Sequence, residues 1–308
     1  MMTIPQRLQC ARVLAGNSCA RCSVSHCGHA TKSSRGGKFV VKEGLLLAPL
    51  GTCPKPVTNI SQGYKYDTHP AATTQLAENL MTDTVFPARD TPIVAVQGDK
   101  GFPVSRIFCV GRNYAAHAAE MGHEVDREAP FYFTKSAYAI LHSGQDMPYP
   151  PRTADLHHEM ELVVAIGQPA KDISTDAAMN VVFGYGCGRD MTRRDLQAAA
   201  KEKRRPWDTG KDFDNAAIIG PLTSKVDAGE ISNLDIVLQV NGTVRQEAKL
   251  SDMVWSVSEI IADLSSLYTL MPGDLIMTGT PAGVGPVVSG DALRGTIGDF
   301  APVETRII

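Results

Sequence analysis

LHHEMELVVAIG, residues 156–167, is the stretch whose reading decides the fold. Leu162-Val163-Val164-Ala165-Ile166 is an apolar, β-rich run of the kind that enters a core. Glu159 and Glu161 stand two apart at its head, behind His157 and His158. In a strand, residues i and i+2 point to one face. Two carboxylates would then share a patch beside a hydrophobic core, where like charges repel and desolvation is costly. A hard divalent cation resolves the conflict by supplying the missing charge. Exposure of both side chains on a solvent-facing strand resolves it as well, and the spacing leaves both readings open.

Two same-face carboxylates make half a metal site, so a third oxygen ligand is expected elsewhere. Asp190 is the best candidate: it follows the apolar run VVFGYGCG and precedes the charged helical segment TRRDLQAAAKEK. That places it at a strand end, where loops build sites; a plain helix N-cap is the alternative. With no thiolate nearby and no positive partner expected for the three acids, an oxygen-only set favours Mg2+, Mn2+ or Ca2+ over zinc.

Outward from this stretch, strands predominate. Pro92–Val96, Arg106–Val110, Phe131–Thr134, Val181–Gly188 and Leu275–Met277 read as short strands. Ile236–Val240 and Val244–Glu247 flank Asn241-Gly242, a strong hairpin signal because both turn positions favour positive φ. Tyr114–Met121, Thr175–Asn180, Arg193–Lys203 and Ser256–Tyr268 carry helical patterns, and Thr278–Gly285 is a glycine-rich loop. Hairpins and irregular loops linking the strands argue against a βαβ repeat. The expected class is α+β, mainly β, a mixed β fold of sandwich or roll type.

The 308 residues divide unevenly. Residues 1–80 hold nine Lys/Arg against three Asp/Glu, leaving 21 against 30 in the rest. This early segment is rich in Ser, Thr, Gly and Pro and has little apolar periodicity, so it cannot offset its ordering entropy. It is expected to be a disordered tail, a mitochondrial transit segment, or a stretch preceding a true start at Met81, the reading favoured here. The folded domain is then 81–308, and the protein is cytoplasmic unless the segment is a transit peptide. Five of the seven cysteines (Cys10, Cys19, Cys22, Cys27 and Cys53) crowd this segment, away from Cys109 and Cys187. Cys19-x-x-Cys22 with Cys27 and His29 superficially resembles a zinc ribbon, but it lacks a second spaced pair. A net charge of −3 with no basic face argues against a nucleic-acid partner. No apolar run reaches the roughly 18 residues that span a bilayer.

CVGRNYAAHAAEMG, DLHHEMELVVAIG, GRDMTRRDLQ, RPWDTGKDFD, VNGTVRQ and PGDLIMTGTPAGVGPV occur in this order. The series resembles the fumarylacetoacetate hydrolase family over about Arg106 to Ile308, its fumarylpyruvate hydrolases and acylpyruvases above all. The resemblance implies that family's C-terminal domain fold, a homodimer, and metal ligands at Glu159, Glu161 and Asp190. It implies a lid at Asn113–Met121 whose His117 and Glu120, three apart on one helix face, activate water. It also gives Lys211 an active-site role, puts Arg194 and Gln197 on substrate, and sets Thr280 against a substrate carboxylate. Arg offers a planar fork suited to such a group. Without the resemblance, the lid pair reads as an exposed helical His–Glu, Lys211 as a solvated loop lysine, and the glycine loop as a turn.

The implied activity is metal-dependent cleavage of the C–C bond of a 2,4-dioxo acid, fumarylpyruvate giving fumarate and pyruvate in gentisate-type aromatic catabolism. Decarboxylation of oxaloacetate, or an isomerase/decarboxylase reaction, is the rival on the same scaffold. Hydrolysis needs a water-activating base whereas decarboxylation does not, so the presence of both His117 and Glu120 favours hydrolysis. A non-catalytic binding protein would be expected to have a broken acidic triad or lid pair, and neither is broken.

Overall fold

The computed structural model describes residues 84–98, 100–122 and 127–308. The expectations for residues 1–80, including the start at Met81 and the Cys19/Cys22/Cys27/His29 cluster, lie outside the described residues.

The architecture is α+β and mainly β, as the patterning indicates. Its largest sheet has eight strands. Along its path run Phe131–Lys135, Arg106–Gly111, Asp274–Met277, Met160–Ile166, Val182–Asp190, Ala217–Ile219 and Ile140–His142, with Thr223–Ser224 beside Val182–Asp190. Arg106–Gly111 pairs parallel with Asp274–Met277, and Ala217–Ile219 parallel with Ile140–His142; the other pairings are antiparallel. A second sheet of four strands contains Thr243–Lys249, Asp235–Val240, Ala292–Ile297 and Val303–Arg306.

Burial on both faces of the large sheet explains the unbroken apolar run. From Met160–Ile166, the side chains of Met160, Leu162, Val164 and Ile166 join a core shared with Ile236, Leu238, Leu293 and Ile297 of the second sheet. The same core takes Val257, Ile260, Ile261 and Leu264 from the helix Val257–Leu267. Ser256 starts that helix with a capping box: its hydroxyl accepts from the Glu259 amide, and its own amide donates to the Glu259 carboxylate. Val163 and Ala165 face the other way, onto Ile107, Cys109, Leu275 and Met277. Glu161 shares that second face, so its carboxylate is buried rather than solvated.

One detail of the opening stretch differs from expectation. Glu159 and Glu161 are not on a single strand. Leu156–His158 is a short strand of another sheet, paired with Gly285–Val287 and Thr192–Arg193. The chain changes sheets at Glu159 and enters the large sheet at Met160. The two-residue alternation survives the break because the Asp190 amide donates to the Glu159 carbonyl at 2.9 Å. Glu159 and Asp190 thereby become cross-strand neighbours, with Glu161 beside them.

The expected hairpin forms at Asn241-Gly242, with φ of 51° and 78°. Its second strand carries a bulge: Leu238 pairs with Gln246 while Gln239 pairs with Val244, leaving Arg245 as the extra residue. Bulges re-aim side chains beside sites. Here the side chain turned inward is Gln246, 1% exposed on an otherwise largely exposed strand. Its Oε1 accepts from the Met160 amide at 3.0 Å, which fixes the amide orientation. His158 Nδ1 must therefore donate to the same oxygen, at 3.1 Å. Nε2 of Gln246 donates to Thr280 Oγ1 and to the Pro281 carbonyl, both at 2.8 Å. One buried amide thus ties the second sheet to the strand break and to the glycine-rich loop.

Gln246→Leu keeps the volume and removes every one of these bonds. Leaving the buried partners unsatisfied is expected to cost about 2–4 kcal/mol. Chemical denaturation measures it, and a cost within experimental error would show that the amide does not organise the junction.

Candidate active site

Glu159, Glu161 and Asp190 converge at the end of the large sheet. Each offers an oxygen, the three lie within 4.8 Å of one another, and all three residues are buried. The exposed-strand alternative for the two glutamates does not hold. The expectation that the acids lack a positive partner is also overturned. Lys211 Nζ donates to Glu159 Oε2 at 2.7 Å, to Asp190 Oδ2 at 2.6 Å and to Thr192 Oγ1 at 2.7 Å. Arg194 donates to Glu159 Oε1 at 2.6 Å and to Gln197 Oε1 at 2.7 Å. Lys135, from the edge strand Phe131–Lys135, places its ammonium 2.8 Å from Asp190 Oδ1. Sequence spacing missed these partners because they come from elements far apart in the chain.

The positive charge is unevenly shared. It touches Glu159 and Asp190, while Glu161 accepts the Gly279 amide at 2.7 Å and has no cation in ion-pair contact among the described residues. Burial first, then the charges of Asp190 and Glu159, push the Glu161 carboxyl well above its usual range. Burial also acts against ionised Glu159, but Lys211 and Arg194 outweigh it and hold that carboxyl low. Burial opposes the Lys211 ammonium, yet Asp190 and Glu159 prevail and raise it, so it stays charged. Among the described residues Glu161 is therefore the acid without a contacting cation, and its surroundings favour the protonated carboxyl until a cation takes the proton's place. An all-oxygen set of three carboxylates, one of them without a counter-charge, fits a hard divalent cation.

Lys211 is not a solvated loop lysine. It ends the short helix Asp208–Lys211 and is 2% exposed. Arg194 and Gln197 lie on one face of the helix Arg194–Glu202, as their spacing implies. These residues line one cleft together with His117 and Thr280.

The residues expected to form a lid fold as the helix Ala115–Glu120. Asn113 roots it: its side-chain amide donates to the Trp255 carbonyl at 2.9 Å and the Thr278 carbonyl at 2.8 Å, and accepts from the Trp255 amide at 2.7 Å. His117 Nδ1 lies 3.2 Å from Glu120 Oε2, leaving Nε2 as the basic atom when Nδ1 donates. Glu120 also accepts the Gly283 amide at 3.2 Å, which joins the helix to the glycine-rich loop. Gly283 has φ of 93°, and a Cβ there would lie 2.0 Å from the Arg245 carbonyl, on the bulge that aims Gln246. Thr280 is only 3% exposed; Gln246 occupies an acceptor site on its oxygen, so its hydroxyl proton is available to the cleft. All nine residues singled out in the sequence, His117, Glu120, Glu159, Glu161, Asp190, Arg194, Gln197, Lys211 and Thr280, gather at this cleft and its lid. Gln246, Lys135 and Thr192 complete the arrangement; Gln246 closes the VNGTVRQ motif, yet a buried amide on an exposed hairpin leaves no periodic trace.

Residues 106–308 match the family described as fumarylacetoacetate (FAA) hydrolase, C-terminal. A fumarylpyruvate hydrolase of Ralstonia sp. is 47% identical over 192 residues, 61% of this chain and 98% of that protein. An oxaloacetate tautomerase of Escherichia coli K12 is 38% identical over 211 residues, 67% of this chain and 94% of the relative. Among solved structures, the fumarylpyruvate hydrolase of Pseudomonas aeruginosa in complex with Mn2+ and pyruvate superposes with a TM-score of 0.71 at 43% identity. That match covers 73% of this chain and 99% of the other. No helix among the described residues is long and apolar enough to cross a membrane.

Glu161 binds its proton more tightly in the folded than in the unfolded chain. Its contribution to stability is thus present at low pH and lost as pH rises from about 4 through the folded value. In metal-stripped protein, Glu161→Gln should raise stability at neutral pH by about 1–3 kcal/mol. It should also abolish the rise in Tm on adding Mn2+. Thermal unfolding with and without the ion checks both, and an unchanged metal-induced shift in the variant would remove Glu161 from the ligand set.

Proposed function

The chain belongs to the fumarylacetoacetate hydrolase family, and from that premise we propose that it hydrolyses the C3–C4 bond of a 2,4-dioxo acid, with fumarylpyruvate the favoured substrate. The observation that carries the reading is that His117, in contact with Glu120, lines one cleft with Glu159 and Glu161 of the acidic triad. A divalent cation held by Glu159, Glu161 and Asp190, Mg2+ or Mn2+ by ligand chemistry, would supply Lewis-acid stabilisation of developing negative charge.

The chain's own groups then divide the work. The Arg194 guanidinium, braced by Gln197, and the Thr280 hydroxyl hold the 2-oxo acid end. His117 Nε2 takes a proton from water, and Glu120 accepts from Nδ1 and steadies the imidazolium that forms. The hydroxide attacks C4. Lys211, kept charged by its carboxylate partners, supports the oxyanion through its charge alone, because Glu159, Asp190 and Thr192 take its three N–H donors. Collapse of the tetrahedral adduct breaks C3–C4 and sends the electron pair into the pyruvate enolate, which takes up a proton at C3. The second product is the acid of the acyl half, fumarate from fumarylpyruvate. The lid excludes bulk water while this proceeds.

Similarity to an oxaloacetate tautomerase keeps oxaloacetate in view as a second substrate. The deciding measurement is turnover of fumarylpyruvate, acetylpyruvate and oxaloacetate with Mg2+ and then with chelator. The reading expects the 2,4-dioxo acids to be cleaved fastest and only with the ion; faster consumption of oxaloacetate would reverse it. His117→Ala should lower C–C hydrolysis by about 10²- to 10⁴-fold while sparing reaction with oxaloacetate. An equal loss on both would mean that the lid positions substrate without activating water.

A further inference from the structure

We propose that Lys201 and Arg112 form a second anion subsite, at the far end of the cleft from the acidic triad, that holds the distal carboxylate of a dicarboxylic substrate. The inference rests on the reading of a 2-oxo acid held at Arg194 and deepens it, because it says which acyl half the cleft selects.

Lys201 continues the stripe that Arg194 and Gln197 begin. On the helix Arg194–Glu202 these residues fall at i, i+3 and i+7, one face of the cylinder. Arg194 and Gln197 serve the triad end. Lys201 lies seven residues beyond Arg194, an axial rise of about 10 Å, and still lines the cleft. Arg112, the residue before Asn113, lines the same cleft, and its charge acts on Lys201.

The two cations are braced by one aromatic pair. The Lys201 ammonium lies 4.9 Å from the centre of the Trp207 ring, and the Arg112 guanidinium 5.8 Å from that of Phe131. Those two rings pack on each other with centroids 4.8 Å apart. Cation–π contacts of this kind hold a charge in place without neutralising it. Among the described residues, neither cation makes an ion pair with a carboxylate, whereas Arg194, Lys211 and Lys135 each do. Burial, then the neighbouring charges of Arg194 and Arg112, lower the Lys201 ammonium to about 8, a sign of positive charge awaiting an anion.

The backbone supports the placement. Arg112 adopts φ of 60°, a left-handed conformation that non-glycine residues rarely take. Such strain persists where the surroundings enforce it, and it clusters at ligand-binding sites. Here Asn113, locked to Trp255 and Thr278, fixes the next residue of the chain.

Length agrees as well. In an extended seven-carbon 2,4-dioxo diacid, six bonds of about 1.5 Å separate the carboxyl carbons, which places them roughly 7–8 Å apart. One carboxylate at Arg194 thus brings the other toward Lys201 and Arg112. An acetyl group in place of the fumaryl half would leave the two cations uncompensated.

The test compares Lys201→Met and Arg112→Asn with wild type on fumarylpyruvate and on acetylpyruvate, which lacks the distal carboxylate. Asparagine tolerates the left-handed backbone, so the second variant retains the fold. Each variant should lose about 10- to 100-fold in kcat/KM on fumarylpyruvate, mainly through KM, and change less than about threefold on acetylpyruvate. Equal losses on both substrates, or no loss on either, would overturn the subsite. A binding measurement separates this outcome from failure of the hydrolytic reading. In calorimetry on Mn2+-loaded protein, wild type should bind 2-oxoheptanedioate about tenfold more tightly than 2-oxoheptanoate, a difference near 1.4 kcal/mol. That preference should vanish in Lys201→Met. If wild type cleaves neither dioxo acid yet shows the Lys201-dependent preference, the subsite stands and the hydrolase reading falls. If cleavage is normal and the preference is absent or survives the substitution, the subsite falls alone.

Discussion

Three carboxylate oxygens within 4.8 Å of one another, buried at the end of a sheet that is covered on both faces, form the constraint on which the rest of the structure depends. At such a separation each like-charge pair costs about 4 kcal/mol at an effective dielectric constant of 20. Uncompensated, the trio would consume much of the 5–15 kcal/mol that stabilises a typical domain. The surrounding elements are arranged against that cost. The edge strand brings Lys135, the helix after Asp190 brings Arg194, and a four-residue helix ends on Lys211. These cations neutralise Glu159 and Asp190 and leave Glu161 without a counter-charge. A divalent ion held there would make the cleft positive, which suits an anionic substrate.

The helix Ala115–Glu120 and the glycine-rich loop are coupled through the same centre. Gly279 gives its amide to Glu161, and Gly283 gives its amide to Glu120. The loop therefore touches a proposed metal ligand at one end and the lid dyad at the other. Gly279, with φ of 97°, sits so close to Asn113 that a Cβ would lie 2.7 Å from the Asn113 side chain. The lid root, loop and triad thus share backbone contacts that side-chain exchange alone cannot repair.

The local periodicities of the sequence were enough to read the class of the fold and to single out three acids as candidates. Leu162–Ile166 reads as a buried strand because both faces are covered, and Asn241-Gly242 reads as a hairpin because of its positive φ. Glu159, Glu161 and Asp190 stand out as charge beside apolar runs. Ala217–Ile219 was not legible because it is only three residues long, and Ala292–Ile297 because Gly295, where the Met160 sulfur packs, interrupts its apolar alternation. The break at Glu159 escaped notice because changing sheets leaves the two-residue spacing intact. Lys135 ends an aromatic strand and looks like an ordinary edge lysine until the fold places it on Asp190. The roles of His117, Arg194 and Thr280 were read through family motifs, since an isolated histidine, arginine or threonine carries no spacing signal.

The most direct test of the central claim is anomalous diffraction from crystals grown with Mn2+. The account predicts a single strong peak per chain, enclosed by carboxylate oxygens of Glu159, Glu161 and Asp190 together. A peak bound elsewhere, or no peak with the three acids still held only by Lys211, Lys135 and Arg194, would contradict it.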